Sequence, residues 1–252
     1  MTRLDAQASI DAQRATLRSK LTAAPGMRED MVDRALDAAT KTVAVAPRKA
    51  KKADKALGAS RLGGEPDLPG GKTPSANGYE LRFIGQFDLA DFRPHDPAER
   101  LPDSGLLSFF IGHPSDYDAD PIPVARVIYT PAGTDLEKTP LDSRSKLVGV
   151  DLAPTLRLPA YGSHRYPDHE PYHEVFEELY LASRIKQHGF FEQDRRWEQA
   201  VQPDEHILLR LDADREIPYD LFEARTLYFI ISDEALAQGD FSEVRVHEGA
   251  AI

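Results

Sequence analysis

Leu81–Leu89 reads LRFIGQFDL. Aromatic and branched side chains crowd this run, so it is expected to be a strand in a buried sheet. Two more strand-like runs follow it, LLSFFI at Leu106–Ile111 and VARVIY at Val124–Tyr129. A second trio stands near the end of the chain: ILLRLDA from Ile207, RTLYFII from Arg225 and EVRVHE from Glu243. Aligning Asp88 with Asp212 sets Phe87 against Leu211, Ile84 against Leu208 and Phe83 against Ile207. The two trios are expected to be tandem β-units of similar shape, spanning about 79–130 and 205–248.

Upstream, the period is helical. Leu4, Ala8, Ile10, Ala15, Leu17 and Leu21 suit a first helix, with Ser9 as a cap before Ile10 and Pro25-Gly26 as its end. Met31, Val32, Ala35, Leu36, Ala39 and Val43 suit a second helix, interrupted by Pro47. RKAKKADKALG (Arg48–Gly58) reads as a solvated helix face or a linker. Glu174–Arg184 (EVFEELYLASR) carries the helical stripe of a middle helix, over about 174–185. The expected fold class is α+β: a twisted, mainly antiparallel sheet from two similar β-units, with N-terminal helices and a middle helix packed on it. Residues 1–56 are expected to be an N-terminal helical segment and linker, and residues 57–252 the α+β domain.

The chain has 252 residues, with 31 Lys and Arg against 42 Asp and Glu, a formal net charge of −11. That balance repels nucleic-acid backbones, so no nucleic acid is expected as a partner. With no cysteine in the chain, there is no disulfide, thiolate metal site or cysteine nucleophile. The polar N-terminus lacks a secretory pattern, and no apolar run is long enough to span a membrane. The expectation is a cytoplasmic protein without membrane contact.

Ser60–Gly71 reads SRLGGEPDLPGG. With LRFIGQFDL, GLLSFFI, LLRLDAD, TLYFIISDEAL and DFSEV, it resembles the YwqG-like family of bacterial proteins, from about Leu57 to Val246 and in that family's order. The resemblance implies an α+β fold with a large mixed sheet, no established reaction, and a regulatory or immunity-like role. The chain departs from the family pattern at several places. TPSANGYE stands where a Trp-Pro pair is usual, Arg210 where glutamine is usual, LFEART where a Gly-Asp turn is usual, and YGSHRYPDHEPYH in place of a His-Gly-Gly-Tyr-Pro segment.

Four residues are candidate ligand contacts: Arg61, Gln86, Arg210 and Asp212. Strand alternation puts Gln86 on the side of Ile84 and Asp88, and Arg210 on the side of Leu208 and Asp212. A pocket in which Gln86 and Arg210 face each other is the preferred reading of the two units. SRLGGEPDLPGG does not read as a phosphate loop. Its glycines do not lie between a strand and a helix N-terminus, and Glu65 and Asp67 repel phosphate. Gly63-Gly64 is expected to supply positive φ or close packing.

His169-Glu170-Pro171-Tyr172-His173 has the letters of a zinc-protease motif, but Pro171 marks a helix start and leaves His169 outside it. His164, His169 and His173, or Asp212 and Asp214, form the weaker metal-site reading. No cofactor is expected. The first functional reading is a binding or interaction protein for an unidentified protein or small molecule. The alternative is a metal-dependent hydrolase using one of those clusters.

Overall fold

The computed structural model describes residues 2–76, 78–96, 98–112, 124–141, 145–158, 172–174, 188–191, 201–202, 204–212 and 226–249. Two helices come first, α1 (Arg3–Ala23) and α2 (Glu29–Asp37). α1 starts earlier than the Ser9 reading expects. Thr2 caps it, with Asp5 N–H donating to Thr2 Oγ1 (3.3 Å) and Thr2 N–H to Asp5 Oδ2 (2.8 Å). This reciprocal pair satisfies two N-terminal donors that Ser9, inside the helix, cannot reach. Arg14 ties the helices together by donating to the Leu36 carbonyl (2.6 Å) and Asp37 (2.7 Å) at the end of α2, where the helix dipole favours a cation.

The strands are β1 (Thr40–Lys49), β2 (Arg61–Gly64), β3 (Asp67–Leu68), β4 (Ser75–Ala76), β5 (Tyr79–Glu80), β6 (Arg82–Asp88), β7 (Leu106–Ile111), β8 (Ala125–Thr130), β9 (Glu137–Lys138), β10 (Ser145–Arg157), β11 (Gly189–Phe190), β12 (Glu205–Asp212), β13 (Thr226–Ser232) and β14 (Arg245–Gly249). Ten of them form one sheet in the order β14-β13-β12-β11-β1-β10-β2-β6-β7-β8. Every pairing among the described strands is antiparallel, which corrects the mixed component of the expectation. Its two ends are three-stranded meanders, β6-β7-β8 and β12-β13-β14.

β1 differs most from the sequence reading. Residues 40–49, expected to be helix end and linker, form a central strand paired with β10 from Thr40↔Arg157 to Lys49↔Val148. Thr40, Thr42, Val43 and Val45 are β-branched and favour it. Pro47 is tolerated because β11 is short. Val45 N–H donates to the His188 carbonyl (2.8 Å) on that side. Pro47, two residues on, has its missing N–H on the same side, beyond the β11 pairing at Val43 and Ala44. The expected middle helix enters the described residues at Tyr172–Glu174, and the rest of it lies outside them.

The sheet curls. Phe109 on β7 meets Phe229 on β13 edge to face at 5.1 Å, and Phe87 on β6 meets Phe190 on β11 at 4.8 Å. These strands lie far apart in sheet order, so their rings meet only because the inner face wraps round one core. Phe241, in the turn before β14, reaches Tyr129 on β8 at 5.8 Å and bridges the sheet's two ends. Two short helices cap this core, α3 (Leu89–Phe92) after β6 and α4 (Asp233–Gln238) after β13.

A β-bulge resets the alternation in each meander. The register jumps between Phe83 and Gly85 in β6, and between Ile207 and Leu209 in β12. One extra residue on the strand flips everything after it. Ile84 and Phe87 therefore both lie in the inner core, whereas Phe83 packs in a separate outer cluster with Leu68, Leu81 and Phe110. Gln86 points outward, not to the side of Ile84 as strict alternation expects. Gly85 sits where β2 comes closest: a Cβ there would lie 2.7 Å from Leu62 Cδ2 and 2.8 Å from the Arg61 carbonyl oxygen. Gly85→Ala is expected to lower stability by about 1–3 kcal/mol, read as a reduced urea midpoint with unchanged slope. Wild-type stability would show that β2 and β6 are not in this close contact.

Candidate functional site

The register builds one row of residues across the outer face. Arg48 on β1 stands opposite Gly149 on β10, Gly149 opposite Arg61 on β2, Arg61 opposite Gln86 on β6, and Gln86 opposite Ser108 on β7. Residues 51–71 run over this row and deliver a carboxylate to each arginine.

The loop from Arg61 to Asp67 doubles back because Gly63 (φ 62°) and Gly64 (φ 77°) take left-handed backbone. The reversal brings Asp67 onto Arg61, with Arg61 Nη2 2.8 Å from Asp67 Oδ2 and both side chains fully buried. Arg61 also donates to the carbonyls of Glu65 (2.7 Å), Ala59 (3.2 Å) and Ala56 (3.3 Å). Asp67 Oδ2 accepts from Gly58 N–H (2.7 Å) and Gln86 Nε2 (2.9 Å), and Gln86 Oε1 accepts from Asp67 N–H (2.9 Å). A charge taken out of water requires such partners, and here they knot the loop to β6. Lys138 Nζ on β9 lies 3.7 Å from Asp67 Oδ1 and is the partly exposed member of the group.

Beside it, Arg48 grips Asp54 through Nη1 (2.7 Å) and Nη2 (2.9 Å) and reaches Asp151 through Nε (2.6 Å). Gly149 makes room, since a Cβ there would collide with the Arg48 guanidinium. The hydrogen bonds from Arg48 hold the Asp54 carboxyl below its ordinary range, with Lys51 N–H (2.6 Å) adding to the effect. A carboxyl lowered on folding stabilises the protein above its unfolded-state range, and that contribution is lost as pH falls through the lower folded value.

Arg210 and Asp212 sit together elsewhere on the sheet. Arg210 donates to Asp212 through Nε (3.0 Å) and Nη2 (3.3 Å), and Thr226 Oγ1 donates to Asp212 Oδ1 (3.0 Å). Asp212 N–H donates to His188 Nδ1 (3.0 Å), so that ring nitrogen carries no proton. Arg210 lies 5.6 Å from the Tyr228 ring centre. Four strands, β11, β1, β10 and β2, separate this pair from Gln86. The structure thus joins Arg61 with Gln86 and Arg210 with Asp212, but does not set Gln86 and Arg210 face to face. His164, His169 and Asp214 lie outside the described residues, and His173 is half-buried beside Tyr172. Among the described residues no three His, Asp or Glu side chains converge as metal ligands.

Asp67, the Arg48–Asp54 pair and His188 escape a sequence reading centred on strands. The available signal was opposite charge inside a glycine-rich loop, Arg61 with Asp67, since charges so placed can pair once the loop reverses. Asp67→Ala is expected to cost about 3–5 kcal/mol, the range for breaking a buried pair. Adding Arg61→Met should not restore stability, because three loop carbonyls and Gln86 would then lose their partners. Recovery in the double variant, read by urea unfolding, would reduce the pair to simple charge compensation.

No described helix is long and apolar enough to cross a membrane. A search among curated proteins finds no match. A family model does match, over residues 60–247, a span that begins beside Arg61 and ends within β14. The chain belongs to the family described as Domain of unknown function (DUF1963).

Proposed function

We propose that this chain is a cytoplasmic binding or interaction protein. The observation that carries this reading is the filling of the curled sheet. Phe87, Phe109, Phe190 and Phe229 interlock edge to face inside it, so ligand contact falls to the outer face and the loops. The sealed Arg61–Asp67–Gln86 group ties the covering loop to that face. Of the four candidate contacts, Arg210 and Asp212 are the pair we assign to a ligand, because the Asp212 side chain keeps 16% of its surface exposed. The composition, which holds no cysteine, fits the cytoplasmic setting of this reading.

The two meanders are best read as related units. Ile84 and Leu208 occupy matching bulges, and Gln86 and Arg210 follow each bulge at the same distance. In this reading the first unit uses its outward polar position to lock a loop, and the second offers its own to a ligand.

Purified protein dialysed without chelator tests the reading against metal-dependent hydrolysis. The expected result by mass spectrometry is substoichiometric metal, with a thermal melt that added zinc, manganese or magnesium does not move. Stoichiometric bound metal, or a melt raised by one of these ions, would overturn it. Arg210→Ala is expected to unfold cooperatively with a modest loss of stability, and collapse of the fold in that variant would make Arg210 structural.

A further inference from the structure

Residues 48–55 hold five cationic side chains, Arg48, Lys49, Lys51, Lys52 and Lys55, and one carboxylate, Asp54, in a chain of net charge −11. The carboxylate is buried and its charge is paired with Arg48. All four lysines are exposed and make no ion pair among the described residues. The segment is also held in shape. The Arg48–Asp54 clamp, Lys51 N–H on Asp54 and the Lys55 N–H to Lys52 carbonyl bond (3.2 Å) define the turn. Lys51, Lys52 and Lys55 leave this turn directly, and Lys49 flanks it at the end of β1. Two residues beyond Lys55, Leu57 is 55% exposed, one of two large apolar side chains so placed among the described residues.

We propose that this turn is the docking surface for an acidic protein segment that carries an apolar side chain among its carboxylates. The inference rests on the binding-protein reading above and adds to it a second contact surface, distinct from the Arg210–Asp212 pair on β12. Three features favour a peptide over a nucleic acid. Residues 48–58 contain no aromatic side chain to stack on a base. The net negative charge of the whole protein repels a long polyanion more than a short segment that meets only the turn. Leu57 beside the lysines offers an apolar contact that a phosphate backbone cannot use. Fixed lysines also lose less conformational freedom in the turn backbone when the partner arrives.

The test uses the full chain and fluorescence anisotropy at low and moderate salt. The probe is a labelled oligoglutamate peptide with one central leucine, beside the same peptide with alanine there. The leucine peptide is expected to bind more tightly, and both should weaken as salt rises. Reversing Lys51, Lys52 and Lys55 to glutamate should weaken binding by about tenfold or more while the protein still unfolds cooperatively. Leu57→Ala should erase the difference between the two peptides. No binding at low salt, or equal binding by the triple variant, would overturn the proposal. Tighter binding of single-stranded oligonucleotide or anionic vesicles, with no effect of Leu57→Ala, would overturn the peptide assignment as well. Stoichiometric metal would count against the parent reading even if the peptide binds. A metal-free protein that ignores the peptide would remove only the lysine turn.

Discussion

The buried Arg61–Asp67 ion pair is the constraint on which the rest of the outer layer depends. Neither charge can be left unpaired away from water, so the chain between them must reverse within a few residues. Gly63 and Gly64 allow that reversal, and Gln86 fixes its outcome by bonding both the backbone and the carboxylate of Asp67. Once Asp67 is placed, Leu68 falls onto Phe83 and Phe110, and β3 is positioned to pair with β9. A polar lock and an apolar outer cluster thus form together, each holding the other's geometry.

The same logic repeats two strands along the same row, with less burial. Arg48 and Asp54 shape the turn after β1, and Gly149 is the gap that lets the guanidinium lie across β10. The two clasps serve different ends. One seals a loop onto the sheet, while the other spends the only carboxylate of its turn and leaves a set of lysines facing water. In the proposed binding role, the interlocked phenyl rings inside the curled sheet leave recognition to these outer features. The contrast between an acidic protein and its local cationic turn would then guide the orientation of an acidic partner more than add raw affinity.

Much of the sheet was legible in the sequence, since six of its strands are runs whose aromatic and branched residues declare them. β1 was not, because Ala35, Leu36, Ala39 and Val43 also fit a helical period and Pro47 argues against a central strand. Its strand state comes from pairing with β10, a contact more than a hundred residues away that no local pattern contains. The face of Gln86 was likewise hidden. A bulge at Ile84 depends on how β7 is registered, and strict alternation points the side chain the wrong way. The candidate site was half visible. Gln86 and Arg210 stood out as polar residues in apolar strands, Asp212 as a carboxylate at a strand end and Arg61 as the one cation of a glycine-rich stretch, but which of them meet is set by sheet order. Asp67 looked like a charge that would repel an anion. Its role emerges only when two left-handed glycines fold it back onto Arg61.

Native-state hydrogen exchange at the backbone amides of Gly58 and Asp67 tests the central claim most directly. Both donate into the buried group, Gly58 to Asp67 Oδ2 and Asp67 to Gln86 Oε1. If the loop is locked as an integral part of the fold, these amides should exchange only through global unfolding. Their opening free energy would then match that of core amides in β6 and β7, and fall with them in denaturant. Exchange through a local opening, far faster than the core and insensitive to denaturant, would contradict the account and make the loop a cover that lifts from the sheet.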